Sequence, residues 1–163
     1  MSETATEKMV WITRMFDAPR ELVFKAWATS QHMERWYAPH GCKVIFPRYE
    51  FHQGGVFHSC IHTPEGYDCW CRGEFLEIKA PEKLTYTLSR ADAQGNFVTP
   101  LEMGMHPDWP EQTIVTVTFE DVEGKTRLTL HQTVNEDLAK QTGAHPSWLQ
   151  MLDRLAEEVA SAS

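Results

Sequence analysis

The residues with the plainest capacity for chemistry are His58-x-Cys60-x-His62 and, a few positions on, Cys69-x-Cys71. Alternate side chains of a strand share a face, so each set would converge on one side of a sheet. Imidazole and thiolate are the usual ligands of zinc, and two such sets across a hairpin would offer a tetrahedral site. The alternation argues against joining them. Phe57 and Ile61 mark the odd positions of the first stretch as core-facing, which turns His58, Cys60 and His62 toward solvent. In the second stretch Tyr67, Cys69, Gly73 and Phe75 share the core face, so Cys71 points inward with Cys69 and Trp70 points out. Donors on opposite faces cannot hold one ion. The expectation is therefore solvated histidines, small buried cysteines, no structural metal and no cofactor.

Other chemistries find less support. Serine, cysteine and eight histidines are present, but a triad is defined by geometry and no G-x-S-x-G context occurs. His106 and Asp108 in an irregular stretch, and Glu74 or Arg72 on a strand, are candidates for acid–base work in a pocket. No matched acid and base stands out among them, so no catalytic residue is assigned. Gly54-Gly55 lacks the spacing and the following helix of a phosphate cradle, and reads instead as a sharp reversal or bulge.

The elements that must position these residues follow from periodicity. Residues 9–16 form a strand candidate, and Pro19 opens a helix carried by Leu22, Val23, Ala26 and Trp27 to residue 28. Ser30 is a candidate N-cap for a second short helix ending near Tyr37. Strands are expected over 43–50, 56–62, 67–78 and 83–89, divided by Gln53-Gly54-Gly55, Thr63-Pro64-Glu65-Gly66 and Ala80-Pro81-Glu82. Residues 91–111 form the longest irregular stretch, the kind of loop that often covers a site. Two alternating strands, 112–121 and 126–134, meet at Glu123-Gly124, with Val115, Val117, Phe119, Leu128, Leu130 and Val134 on the core side. Asn135 caps a short turn of helix to Thr142, and Gly143 ends it. A terminal helix over 145–160 then carries Trp148, Met151, Leu152, Leu155 and Val159 as one apolar stripe.

Composition sets the class. The chain has 163 residues, 42% hydrophobic and 23% charged, enough for one domain with a real core. We read residues 1–8 as a disordered tail and 9–163 as a single domain. A net charge of −8 without a basic run gives nucleic acid a poor electrostatic footprint. No signal-peptide core or membrane-spanning run is visible, so a cytoplasmic protein without membrane insertion is expected, its four cysteines reduced. Six Trp, eight Phe and seven Met supply soft apolar surface for a core or a pocket.

Several local sequences, in order, resemble one family. They are Phe16-Asp-Ala-Pro-Arg-Glu-Leu-Val-Phe-Lys-Ala-Trp27, Trp36-Tyr-Ala-Pro-His-Gly41, Gly54-Gly55 and Arg72-Gly73-Glu-Phe-Leu-Glu-Ile78. Pro81-Glu-Lys-Leu84, Val115-Thr-Val-Thr-Phe-Glu120, Gly124-Lys-Thr-Arg-Leu-Thr-Leu130 and Trp148 with Leu152-Asp-Arg-Leu-Ala-Glu157 continue the series, with Gly104-Met-His-Pro-Asp-Trp-Pro110 in the long loop. Together they resemble the SRPBCC, or START-like, superfamily, in the branch of activator of heat-shock protein 90 ATPase homologues. The resemblance implies an α+β helix-grip fold: a curved antiparallel sheet around a long C-terminal helix, with two short helices after the first strand. It implies binding of a small hydrophobic, lipid-like or amphipathic molecule under that helix. It also brings two other functions, a chaperone co-factor-like interaction module and a small-molecule hydrolase or isomerase. A chaperone or a second copy of the chain are the partners it suggests. Ser59 stands where relatives often carry a bulky aromatic, which enlarges the space. The expected ligand-binding residues are Trp36, Phe57, Ser59, Cys69, Cys71, Phe75, Val117, Trp148 and Met151, with Met103, Met105 and Trp109 over the mouth.

Overall fold

A computed structural model of the protein describes residues 8–99 and 107–162. The tail expected at the N-terminus, apart from Lys8, and Met103, Met105 and His106 in the long loop lie outside the described residues. The order is β1 (Met9–Phe16), α1 (Arg20–Lys25), α2 (Ser30–Trp36), β2 (Lys43–Tyr49), β3 (Val56–His62), β4 (Asp68–Lys79), β5 (Lys83–Arg90), β6 (Gln112–Val122), β7 (Lys125–Asn135), α3 (Glu136–Thr142) and α4 (Ala144–Ala162). The strands form one seven-stranded sheet in the order β1-β7-β6-β5-β4-β3-β2. Every pairing is antiparallel. This is the helix-grip fold: the inner face of the sheet closes on α4. Among the described residues no helix is long and apolar enough to cross a membrane.

Local chemistry explains the element ends. The N-cap of α2 is Thr29 rather than Ser30, because the Thr29 backbone is extended and its hydroxyl accepts from the His32 N–H. Asn135 caps α3 by accepting from the Leu138 N–H at 2.9 Å, and Gly143 ends it at φ 89°. At the β6–β7 turn Glu123 and Gly124 both take positive φ, 54° and 85°, the pairing whose twist matches two antiparallel strands. Gly55 sits at a close approach: a Cβ there would collide with the Glu50 carbonyl oxygen.

The stripe Trp148, Met151, Leu152, Leu155 and Val159 of α4 is buried, Leu152 and Leu155 completely. Each of those leucines contributes about 1.5–3 kcal/mol of burial. Two arginines fix the helix against its surroundings. Arg14 of β1 donates to Asp153 at 2.7 Å. Arg154 reaches the carbonyl oxygens of Arg35, Ala38, Pro39 and Cys42, at 2.7–3.2 Å, and so ties α4 to the chain leaving α2.

The outer face of β3 and β4 departs from expectation. His58 and Cys60 do face away from the core, but both are buried rather than solvated. The chain after β5 folds back over them. Ala91 bridges Phe97, His58 Nε2 lies 3.0 Å from the Asp92 carbonyl oxygen, and Arg72 donates to the Gly95 carbonyl and stacks on Phe97. Trp70, turned outward as the register required, lies flat on the His58 ring with centroids 4.9 Å apart. Tyr67 is not a core residue; it precedes β4 and is exposed, since the turn ends there.

Candidate functional site

The site grows from a change of side-chain size along the inner face of the sheet. One end is filled by aromatics and aliphatics: Phe57 on β3, Phe75 on β4, Tyr86 on β5 and Val117 on β6 are all buried. Moving along the same strands the inward positions become Ser59, Cys71, Arg90, Thr113 and, on β7, Gln132. Strand register makes Ser59, Cys71 and Arg90 direct cross-strand neighbours in one row. Small and polar side chains do not fill the space that rings fill at the other end. A cavity of about 360 Å³ results, closed by the α3–α4 junction, Trp148 and Met151 on one side and by Trp109 on another.

Of the residues expected to hold a ligand, Ser59, Cys69, Cys71, Trp109, Trp148 and Met151 line this cavity. Trp36, Phe57, Phe75 and Val117 do not. They are packed into the filled core, where Trp36 meets Trp27 edge-on at 4.6 Å and Phe57 meets Phe75 and Tyr86 at 5.5 Å. Met103 and Met105 fall outside the described residues. The acid–base candidates lie elsewhere: Arg72 is engaged on the outer face, and Glu74 is exposed. Asp108 is exposed as well and is not part of the cavity wall.

Sequence reasoning missed Tyr37, Arg90, Thr113 and Gln132. The alternation Leu84, Tyr86, Leu88, Arg90 carried the signal for one of them, since parity puts Arg90 on the core face. The polar wall is internally satisfied. Trp148 Nε1 donates to Gln132 Oε1 at 2.9 Å, Gln132 Nε2 donates to Thr113 Oγ1 at 3.0 Å, and the Thr113 hydroxyl reaches the Leu88 carbonyl at 3.4 Å. Tyr37 and Tyr86 share a hydrogen bond at 2.9 Å, and burial pushes both phenols up, so they stay protonated.

The charged part of the wall is the cysteine pair and its arginine. Arg90 Nη1 lies 2.9 Å from Cys71 Sγ and 3.3 Å from Cys69 Sγ. The hydrogen bond from Cys69 lowers the Cys71 thiol; burial opposes this, and the Arg90 guanidinium adds to it. The same bond, with burial, pushes Cys69 up. Burial works against the Arg90 charge, but the two sulfurs outweigh it. The two thiols titrate as a pair, in which the anionic form is favoured on Cys71 and the protonated form on Cys69.

On the other side of the sheet the structure regroups the proposed metal ligands. Cys60, His62 and Asp68 bring one donor atom each within 4.8 Å of one another, while His58 belongs to the Asp92 carbonyl. His62 Nδ1 lies 2.6 Å from Asp68 Oδ1, a contact that follows from their cross-strand pairing. Burial and the Asp68 carboxylate push the Cys60 thiol up to about 11. Cys69 and Cys71 are on the opposite face, so the two sets remain apart.

A curved seven-stranded sheet gripping a terminal helix, with a cavity at the helix N-terminal end, defines the helix-grip class of α+β proteins. Residues 17–160 match the family described as Activator of Hsp90 ATPase homolog 1-like protein, and the chain belongs to that family. Among solved structures, a protein from Arthrobacter aurescens is similar at 24% identity over 93% of this chain and 85% of that one, with a TM-score of 0.79. One from Nitrosomonas europaea is 20% identical over 96% and 97% of the two chains, with a TM-score of 0.78. The AHSA1 protein from Silicibacter pomeroyi is 20% identical over 96% and 100%, with a TM-score of 0.73. At these identities the likeness establishes the fold. No functionally curated protein matches the chain.

Proposed function

We propose that the protein binds a small apolar or amphipathic molecule in the cavity beside α4. The observation that carries this reading is the cavity itself. Its volume of about 360 Å³ lies in the range of ligand pockets, and its wall is mostly apolar with a few convergent polar groups. Apolar burial would supply affinity, while Arg90, Cys71 and the Ser59 hydroxyl would orient a polar end. The family match supports a protein of this type without naming its ligand.

The test is titration with N-phenylnaphthylamine, a neutral dye whose emission rises in apolar surroundings, beside native mass spectrometry of the protein as purified. Ser59 is buried at the cavity wall, so Ser59→Trp places an indole in the open space. Dye affinity should fall by at least about tenfold, equivalent to 1.4 kcal/mol, while the thermal melt stays cooperative. If Ser59→Trp takes up dye as well as the parent at equal stability, the cavity is not the binding site. A chaperone-related interaction role would then be the better reading.

A further inference from the structure

The row Ser59, Cys71, Arg90, with Cys69 beside it, sets two thiols against a guanidinium in the cavity wall. Arg90 Nη1 meets two sulfurs, Cys71 Sγ at 2.9 Å and Cys69 Sγ at 3.3 Å. A guanidinium beside a thiol favours its thiolate, and the shorter contact is to Cys71, with Cys69 as the neighbouring thiol. Both sulfurs and the guanidinium line the cavity, so the nucleophile faces whatever the cavity holds. A soft metal ion is disfavoured there, because the cationic Arg90 already occupies the approach to both sulfurs.

We propose that Cys71 is a nucleophile that adds covalently to apolar α,β-unsaturated ketones and aldehydes held in the cavity. The inference rests on the binding reading above. In the step, the Cys71 thiolate forms a bond from Sγ to the β-carbon of the ligand, and the π pair of the C=C bond moves toward the carbonyl. The α-carbon then takes the Cys69 S–H proton. One S–C bond is made and one π bond is lost; nothing leaves, and no oxidant or reductant is needed. The negative charge passes from Cys71 to Cys69, whose sulfur contacts the same Arg90 Nη1, so the guanidinium keeps an anionic neighbour throughout.

The described wall suits this reaction class. Conjugate addition needs a soft nucleophile, an apolar site and a proton donor beside the sulfur, and all three are present.

The experiment exposes the intact protein to benzylideneacetone, with its saturated analogue benzylacetone as a non-reactive control. Intact-mass and peptide mapping then locate any adduct. The expected result is one thioether, on Cys71, formed before any on Cys42, Cys60 or Cys69. Cys71→Ser should abolish it, and Arg90→Gln should slow it by at least about tenfold, because the thiolate is the attacking form. Arg90→Lys should restore part of the rate. Mapping in the unmodified chain needs no variant to fold. Displacement of the dye by benzylacetone without an adduct on Cys71, or with Cys42 reacting first, overturns the nucleophile and leaves the binding reading standing. Failure of both ketones to displace the dye overturns the nucleophile alone, whereas a parent protein that takes up neither dye nor ketone overturns the two together.

Discussion

Cys69 and Cys71 are two positions apart on one strand and share one face, yet their sulfurs are electrostatically opposite. The bond between them lowers Cys71 and raises Cys69, and Arg90 deepens the difference. The charged groups facing Cys71 are Arg90 from β5 and Cys69 from its own strand. An ordinary cysteine, with a pKa near 8.5, loses reactive thiolate tenfold per pH unit below that point. A group whose pKa is lowered in the folded state stays ionised as pH falls until that lower value is passed. Iodoacetamide labelling of Cys71, followed by mass spectrometry, should therefore keep its rate well below pH 8.5, and Arg90→Gln should move the midpoint back up. Cys60 is the opposite case. Its thiol is pushed up to about 11, its partner His62 is engaged with Asp68, and the described residues supply no fourth donor. Elemental analysis of the purified protein is expected to find no stoichiometric zinc. One zinc per chain, lost in Cys60→Ser, would establish Cys60, His62 and Asp68 as a site. Part of this was legible in the sequence, since parity separated Cys60 from Cys71 and turned both Cys69 and Cys71 inward. The thiol–guanidinium contact was not, because strand pairing across residues 71 and 90 depends on a bulge between Phe75 and Glu77 that no local pattern announces.

The elements were readable where one face is buried and the other is wet. The β6–β7 hairpin and α4 show this: each has a strict apolar period, and their boundaries shift by one or two residues at most. The outer face of β3 and β4 was not readable in that way. The chain that folds over His58 and Trp70 is irregular, and irregular chain carries no period. The grip itself makes a quantitative claim. Leu155 is fully buried, so Leu155→Ala should cost about 2–5 kcal/mol in urea unfolding. A variant as stable as the parent would mean that α4 does not close the sheet. Arg154 makes a second claim of this kind. It contributes no apolar burial to the stripe, yet its guanidinium gathers four carbonyl oxygens from the end of α2 and the loop beyond. Arg154→Ala should cost about 1.5–3 kcal/mol, the range for hydrogen bonds to a charged group, and Arg154→Lys should recover only part, since one ammonium cannot span the same acceptors.

Across the whole molecule, packing is graded. The end near α1 and α2 is dense with edge-to-face rings: Trp27, Trp36, Phe24 and Phe119 interlock. The end under the start of α4 keeps about 360 Å³ open. An unfilled apolar wall forgoes dispersion contacts that a ligand can restore, so occupancy should add stability that rises with the logarithm of ligand concentration above Kd. At a ligand concentration of one hundred times Kd the gain is about 2.7 kcal/mol, which a thermal melt resolves easily. Trp109 separates the equilibrium and kinetic parts of this effect. It is 8% exposed, it lines the cavity, and it sits on chain just before β6 rather than on the sheet. Trp109→Ala removes a wall without touching Ser59, Cys71 or Arg90. Stopped-flow release of N-phenylnaphthylamine should then be several-fold faster, with the association rate nearly unchanged, because changes at one interface appear mainly in dissociation. The ligand-dependent rise in melting temperature should shrink in step with the weaker Kd. An unchanged release rate in a folded Trp109→Ala protein would place the exit path on another side, between the α3–α4 junction and β7.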